Sequence, residues 1–160
     1  MLRRVLIVLG SIAVVTVVAV LLFFRSVGMF ADEAVYTTER GAIDGYDPVA
    51  FFTEGRAVRG SDAHAWEWRG SRWLFASADH LERFRADPER FAPAYGGYCA
   101  YGMAGGYTAF TDPTAWSIVD GRLFLNFDHD VKAEWEADRP AMIERADRNW
   151  PESRPARHWL

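Results

Sequence analysis

The chain contains 160 residues, of which 18 are basic and 22 are acidic, and its formal net charge is −4. This acidic balance argues against nucleic acid as a partner, because nucleic-acid binding requires a basic face. The chain has a single cysteine, which excludes an internal disulfide bond. This thiol is therefore either buried and inert, paired with another molecule, or a ligand.

An apolar segment near the N-terminus sets the predicted location. Residues 5–24 carry no charge and follow Arg3 and Arg4. A run of about 20 apolar residues matches the hydrocarbon thickness of a bilayer, and basic residues favour the cytoplasmic side. We therefore predict that residues 1–25 form a single-pass anchor in a bacterial cytoplasmic membrane, with the remaining chain on the periplasmic or extracellular side. A cleaved signal peptide is the alternative.

The chain after the anchor is predicted to hold one domain. Residues 26–40 lack clear periodicity and are assigned to a linker, residues 41–151 to the domain, and residues 152–160 to a tail. The domain is predicted to be α+β, with short antiparallel strands and hairpins packed against helices, preceded by the N-terminal transmembrane helix.

The first half of the domain is rich in predicted strands. Asp47 and Pro48 predict a structural turn, since the residue before a proline favours extended or turn geometry. Residues 49–52 are apolar and predict a first strand. Residues 64–68 and 72–76 alternate with period two around a turn, which is typical of an aromatic hairpin.

The second half combines helix caps with a further hairpin. Ser77, Asp87 and Asp128 each precede a helical pattern and are predicted N-caps. The Asp-Gly pair at residues 120–121 lies between two apolar runs, which is a strong signal for a type I′ hairpin. Helical periodicity then continues to about residue 150.

A glycine- and tyrosine-rich segment, residues 93–107, surrounds the single cysteine, Cys99, and is predicted to be the functional centre. Such a density of glycine indicates special backbone angles or close approach of another group. Gly96 and Gly97 are assigned to a structural turn. Four tyrosines either line a small-molecule pocket or belong to the core: Tyr95, Tyr98, Tyr101 and Tyr107.

Four sequence blocks resemble YHS domains: residues 45–52, 73–77, 84–91 and 95–100. The resemblance covers roughly residues 40–151. It implies a small module of the kind that binds metals beside heavy-metal transporters and in metal-dependent oxygenases, often exported or membrane-anchored. Metal-binding relatives typically have cysteines where this chain has three other residues, namely Ala50, Ala76 and His80. The usual metal site of the family is therefore predicted to be absent, while the fold can persist.

A different metal site is predicted around Cys99. Met103 follows Cys99 by four residues, so one helical turn would place both on the same face. A thiolate, a thioether and an imidazole suit Cu(I), a soft ion. We assign Cys99, Met103 and His80 as the metal ligands, with His64 and His129 as alternative sources of the nitrogen. The alternative reading makes Cys99 and Met103 core residues and His80 an ordinary surface histidine.

Three functions follow from these patterns. The first is an exported YHS-like module that sequesters or delivers copper through Cys99, with a metal-handling or other envelope protein as partner. The second is a metal-free domain that binds a protein or a small ligand. The third is an accessory subunit of an oxidoreductase. No motif for a named reaction occurs in the sequence, so no catalytic residue is assigned.

Overall fold

The computed structural model describes residues 34–150. The predicted membrane anchor, most of the predicted linker and the tail lie outside the described residues. Within residues 34–150, none of the helices has both the length and the apolar character needed to cross a bilayer.

The described residues form an α+β domain, which confirms that part of the predicted fold class. Three two-stranded antiparallel sheets are present in this region. They are β1 (Thr37–Thr38) with β2 (Gly41–Ala42), β3 (Ser61–Trp68) with β4 (Ser71–Phe75), and β5 (Asp112–Val119) with β6 (Arg122–Asn126). The α-helices of the same region are α1 (Ala50–Thr53), α2 (Ala78–Ala86), α3 (Pro88–Phe91), α4 (Ala100–Ala104), α5 (His129–Ala137) and α6 (Arg139–Asn149).

Both predicted hairpins are confirmed, and their turns explain their register. Asp120 and Gly121 have φ values of 51° and 76°, and Arg69 and Gly70 have values of 51° and 72°. Two consecutive left-handed residues give the twist that matches antiparallel strands. Each hairpin also has a register shift, between residues 61 and 65 and between residues 112 and 116.

The predicted helix caps are also confirmed. The side chain of Ser77 accepts a hydrogen bond from the backbone N–H of His80 at 3.2 Å. Asp87 accepts one at the start of α3, and Asp128 accepts one from the N–H of Val131 at 2.8 Å. Each cap satisfies a donor that the first turn of a helix leaves free.

The strand predicted at residues 49–52 is wrong, because this segment forms helix α1. The cause is the buried carboxylate of Asp47, whose Oδ1 accepts the backbone N–H groups of Val49 at 2.8 Å and Ala50 at 3.3 Å. This capping starts a helical turn. A run of four apolar residues is too short to distinguish strand from helix by pattern alone.

Residues 34–40, which the sequence assigns to a linker, pack onto the domain. Val35 is 2% exposed. The N–H of Tyr36 donates to the carbonyl of Gly96 at 2.9 Å, and the hydroxyls of Thr37 and Ser71 are 2.9 Å apart. The segment is therefore the first part of the fold.

Aromatic side chains from both hairpins and the helices make up two hydrophobic clusters. In the first, the ring of Phe84 on α2 lies 5.1 Å from the rings of Trp73 and Phe75 on β4. In the second, Phe124 on β6 lies 5.2 Å from Trp135 on α5. These clusters hold α2 and α5 against their respective hairpins.

Candidate functional site

The three positions that the predicted YHS resemblance singles out, Ala50, Ala76 and His80, meet around one buried aspartate. Asp47 is fully buried. Its carboxylate accepts the backbone N–H groups of Ala50 at 3.3 Å and Ala76 at 2.8 Å, and lies 2.6 Å from Nδ1 of His80. Residues 50, 76 and 80 thus come together, but they offer Asp47 two backbone N–H groups and one imidazole.

His80 is engaged on both sides of its ring. A carboxylate only accepts hydrogen bonds, so Nδ1 donates to Asp47. Nε2 lies 3.1 Å from the hydroxyl of Thr53, which is also 3.1 Å from the carbonyl of Val49. The interpretation of His80 as a surface residue is wrong, since it is 9% exposed. A metal at His80 would have to displace Asp47 or Thr53.

Cys99 lies at the N-terminus of α4, where its sulfur replaces the usual oxygen cap. Sγ accepts the N–H of Gly102 at 3.5 Å and lies 3.8 Å from Oδ1 of Asn126. The residue is 2% exposed. Burial raises the pKa of the thiol, and hydrogen bonds from nearby backbone N–H groups offset only part of this effect. The thiol is therefore held in its protonated form.

The predicted metal ligands have different surroundings. Met103 is buried in α4, one turn after Cys99. His80 belongs to α2 and is bonded to Asp47, and the exposed His129 lies 3.2 Å from the hydroxyl of Thr114. Among residues 34–150, no group of three or more His, Cys, Asp and Glu side chains is placed to hold a metal ion.

Asn126, next to the thiol, was missed by the sequence reasoning. It is fully buried at the end of β6, and its Oδ1 accepts the N–H of Tyr101 at 3.2 Å. Its Nδ2 has no hydrogen-bond partner among the described residues. The available signal is a polar residue inside the apolar run at residues 123–127. Such a residue in a buried strand needs a partner.

The four tyrosines of the central segment divide between core and surface. Tyr95 and Tyr98 are buried, and the hydroxyl of Tyr95 donates to Asp147 at 2.8 Å. Tyr101 is partly exposed, and Tyr107 is 55% exposed. Burial and the carboxylate of Asp147 raise the pKa of Tyr95. Both buried tyrosines pack in the core, and Tyr95 also borders a cavity.

The glycines of the predicted turn are required by the backbone. Gly96 and Gly97 have φ values of 63° and 87°. A Cβ atom at Gly96 would lie 2.0 Å from the carbonyl oxygen of Ala34. Gly96 therefore permits the N-terminal segment to pack against the turn. Pro48, in the other predicted turn, is buried beside Asp47.

An open groove of about 540 Å³ lies beside the first sheet. We call it the tyrosine groove. Its lining residues are Tyr36, Thr38, Glu39, Arg40, Asp44, Tyr46, Arg59, Thr111, Asp112 and Pro113. Arg40 donates two hydrogen bonds to the carboxylate of Asp44, at 2.8 and 2.9 Å, and Arg59 donates one at 3.1 Å. Asp44 thus pairs with both arginines of the groove.

The electrostatics of the groove centre on Asp44. Burial raises its pKa, but hydrogen bonds from Arg40 and Thr38 outweigh this effect and hold the pKa below its usual value. Burial and the charge of Asp44 together raise the pKa of Tyr36. The guanidinium of Arg59 lies 4.2 Å from the ring centroid of Tyr46, a cation–π contact.

The backbone beneath the groove is strained. Ile43 and Asp44 have φ values of 43° and 58°, in the left-handed region that favours glycine. Such a conformation is rare for a β-branched residue such as isoleucine. Residues in sparsely populated conformations cluster at functional sites, where the surrounding structure fixes them. From the sequence, Asp44 is expected to bond locally to backbone donors of its turn, with a cation or acid–base role as the alternative. In the structure its carboxylate pairs with Arg40 and Arg59.

Comparison of the chain with models of protein families, with curated proteins and with solved structures finds no match. The resemblance to YHS domains therefore stays a prediction, which rests on the sequence blocks.

Proposed function

We propose that this protein is an exported, membrane-anchored module of the YHS type that binds a small organic ligand without a metal, in the tyrosine groove. The observation that carries the proposal is the groove itself. Its volume of about 540 Å³ falls within the range of small-molecule sites. The proposed anchor is the apolar segment at residues 5–24.

The composition of the groove favours a small ligand. Tyr36 and Tyr46 supply aromatic surface, and Arg40 and Arg59 supply oriented hydrogen-bond donors. Each guanidinium has five N–H donors, of which Asp44 takes only a part. Most of the lining residues are polar or charged, so the ligand we propose is a small polar molecule held by these donors beside the two aromatic rings.

The protonated thiol of Cys99 and the hydrogen-bonded ring of His80 support ligand binding without a metal. The thiolate, not the thiol, binds metals, and the raised pKa of Cys99 disfavours the thiolate. Both nitrogens of His80 have partners within the fold. Neither side chain is free to bind a metal without losing a contact.

The test is a fragment screen by NMR on the full chain in detergent. We expect some fragments to shift the resonances of Tyr36, Tyr46 and Thr111 in a saturable manner. Tyr46→Ala should weaken their binding at least tenfold, because it removes one aromatic wall and the stacked position of Arg59. Tyr107→Ala is the matched control, since it removes an exposed tyrosine that is not among the residues lining the groove. Equal effects of the two substitutions would refute the assignment.

A second candidate function is copper binding by Cys99 and Met103. The observation that favours it is their common position at α4, where a soft thiol and thioether follow each other by one turn. Titration of the reduced full chain with Cu(I), in parallel with Cys99→Ala, separates the two candidates. One equivalent bound by the wild type and lost in the variant supports copper. Equal behaviour supports the metal-free module. The oxidoreductase-subunit alternative stays a prediction.

A further inference from the structure

A second cavity, of about 280 Å³, lies where three arginines from separate parts of the chain meet. Arg69 comes from the turn of the β3–β4 hairpin, Arg90 from α3 and Arg122 from the start of β6. Tyr95 and Trp150 add aromatic surface to the wall. We call this space the arginine cavity.

Two of these guanidinium groups are held in place. Arg69 donates to Glu89 at 2.6 Å and lies 4.5 Å from the ring of Trp68. Arg122 donates two hydrogen bonds to Asp147, at 2.7 and 3.0 Å. Both side chains are thus paired within the fold before any ligand binds, which restricts their orientation and lowers part of the entropic cost of binding.

Arg90 is the unpaired member of the set. Its guanidinium lies 5.6 Å from the ring of Phe91 and has no carboxylate partner among residues 34–150. A guanidinium has five N–H donors. Among residues 34–150 none of those of Arg90 is taken by a hydrogen bond, and Arg69 and Arg122 keep some of theirs. The cavity therefore contains arginine N–H donors that no described residue accepts.

The cavity is positively charged, whereas the chain as a whole is negatively charged. Three arginines face Glu89 in the wall and Asp147 behind Arg122, which leaves one positive charge in excess. The whole chain carries a net charge of −4. A local excess of positive charge in an acidic protein attracts and concentrates anions.

We propose that the arginine cavity binds a phosphate monoester group. A tetrahedral phosphate presents oxygens in several directions and accepts bonds from arginines that approach from separate chain segments, whereas a carboxylate offers only two oxygens in one plane. Arginine is preferred at such sites because its planar fork matches phosphate oxygens. The phosphate belongs either to a small soluble molecule or to the headgroup of an anionic lipid. This site is separate from the tyrosine groove, so it stands whether or not the proposed function holds.

The test follows the side-chain Nε–H resonances of the full chain labelled with ¹⁵N-arginine. The chain is first kept in a phosphate-free detergent and titrated with inorganic phosphate. It is then placed in phosphatidylcholine nanodiscs with and without phosphatidic acid. We expect saturable shifts of Arg69, Arg90 and Arg122. If inorganic phosphate shifts these resonances and phosphatidic acid has no effect, the ligand is a soluble phosphate. If the shifts appear only with phosphatidic acid, or are larger with it, the ligand is the lipid headgroup.

Arg90→Gln is the decisive variant, because it removes a cation without breaking an ion pair of the described fold. We expect it to weaken phosphate binding about tenfold, the effect of losing one charge-assisted interaction. Arg83→Gln is the matched control, since Arg83 is an exposed arginine of α2 that is not among the residues lining the cavity. The proposal is overturned if neither form of phosphate gives saturable shifts, or if the two variants bind phosphate equally.

Discussion

Replacing the buried Asp47 carboxylate by an amide should destabilise the domain strongly. Asp47 accepts hydrogen bonds from three backbone N–H groups and from His80. In Asp47→Asn only one oxygen remains, and the amide NH₂ faces groups that are themselves donors. At least one buried N–H therefore loses its acceptor, at a cost of about 1–3 kcal/mol, and the charged partner of His80 is lost as well. We expect a total loss of about 3 kcal/mol.

The measurement is guanidinium-induced unfolding at neutral pH, followed by tryptophan fluorescence. A parallel thermal unfolding experiment should show a fall of roughly 10 °C in Tm, which corresponds to about 3 kcal/mol for a domain of this size. Asp79→Asn is the control, because Asp79 is 65% exposed and paired only with Arg83. This control should change the free energy of unfolding by less than about 0.5 kcal/mol. If Asp47→Asn is no more damaging than Asp79→Asn, the carboxylate does not organise this site.

The remaining predictions concern the turn, the thiol and acid stability. Gly96→Ala should cost about 2 kcal/mol more than Gly55→Ala in the same unfolding assay: both positions have positive φ, but only the first Cβ would meet another backbone, at 2.0 Å. Cys99 should react with a thiol reagent far more slowly in the folded than in the unfolded chain. Folding raises the pKa of the Cys99 thiol, so the contribution of this group to stability should fall as pH rises through the alkaline range. Unfolding of the wild type and of Cys99→Ala at several pH values checks this expectation. Hydrogen bonds from Arg122 lower the pKa of Asp147, so the difference in stability between wild type and Asp147→Asn should be present at neutral pH and vanish in acid.

Sequence patterns predicted the features of this fold that neighbouring residues determine. The Asp120–Gly121 turn and the Ser77 and Asp128 caps each depend on a few adjacent residues, and each is present in the structure. The turn needs two left-handed residues, and a cap needs one short polar side chain before a helix. These requirements are visible without any knowledge of the tertiary fold.

The site itself could be predicted only in part, because its contacts join distant residues. His80 is buried because Asp47, 33 positions earlier, bonds to its ring. Its position on a polar helix gives no sign of that partner. Likewise, Arg59 and Asp44 are 15 positions apart, and their pairing depends on how two loops approach each other. Residues 50, 76 and 80 meet around Asp47 in the structure, but the YHS resemblance that singled them out stays a prediction.

The N-terminal segment also bears on the order in which the chain folds. Residues 34–38 are synthesised well before their partners in the domain. The hydroxyl partner of Thr37 is Ser71, 34 positions later, and the N–H of Tyr36 donates to the carbonyl of Gly96. Contacts between distant residues carry a loop-closure cost and form slowly. Until Gly96 is in place, the N–H of Tyr36 lacks its acceptor and the backbone of Val35 lacks the turn that packs against it. Newly made chains should therefore be most prone to aggregate in this interval, and an added peptide copying residues 34–40 should compete for the same vacant position.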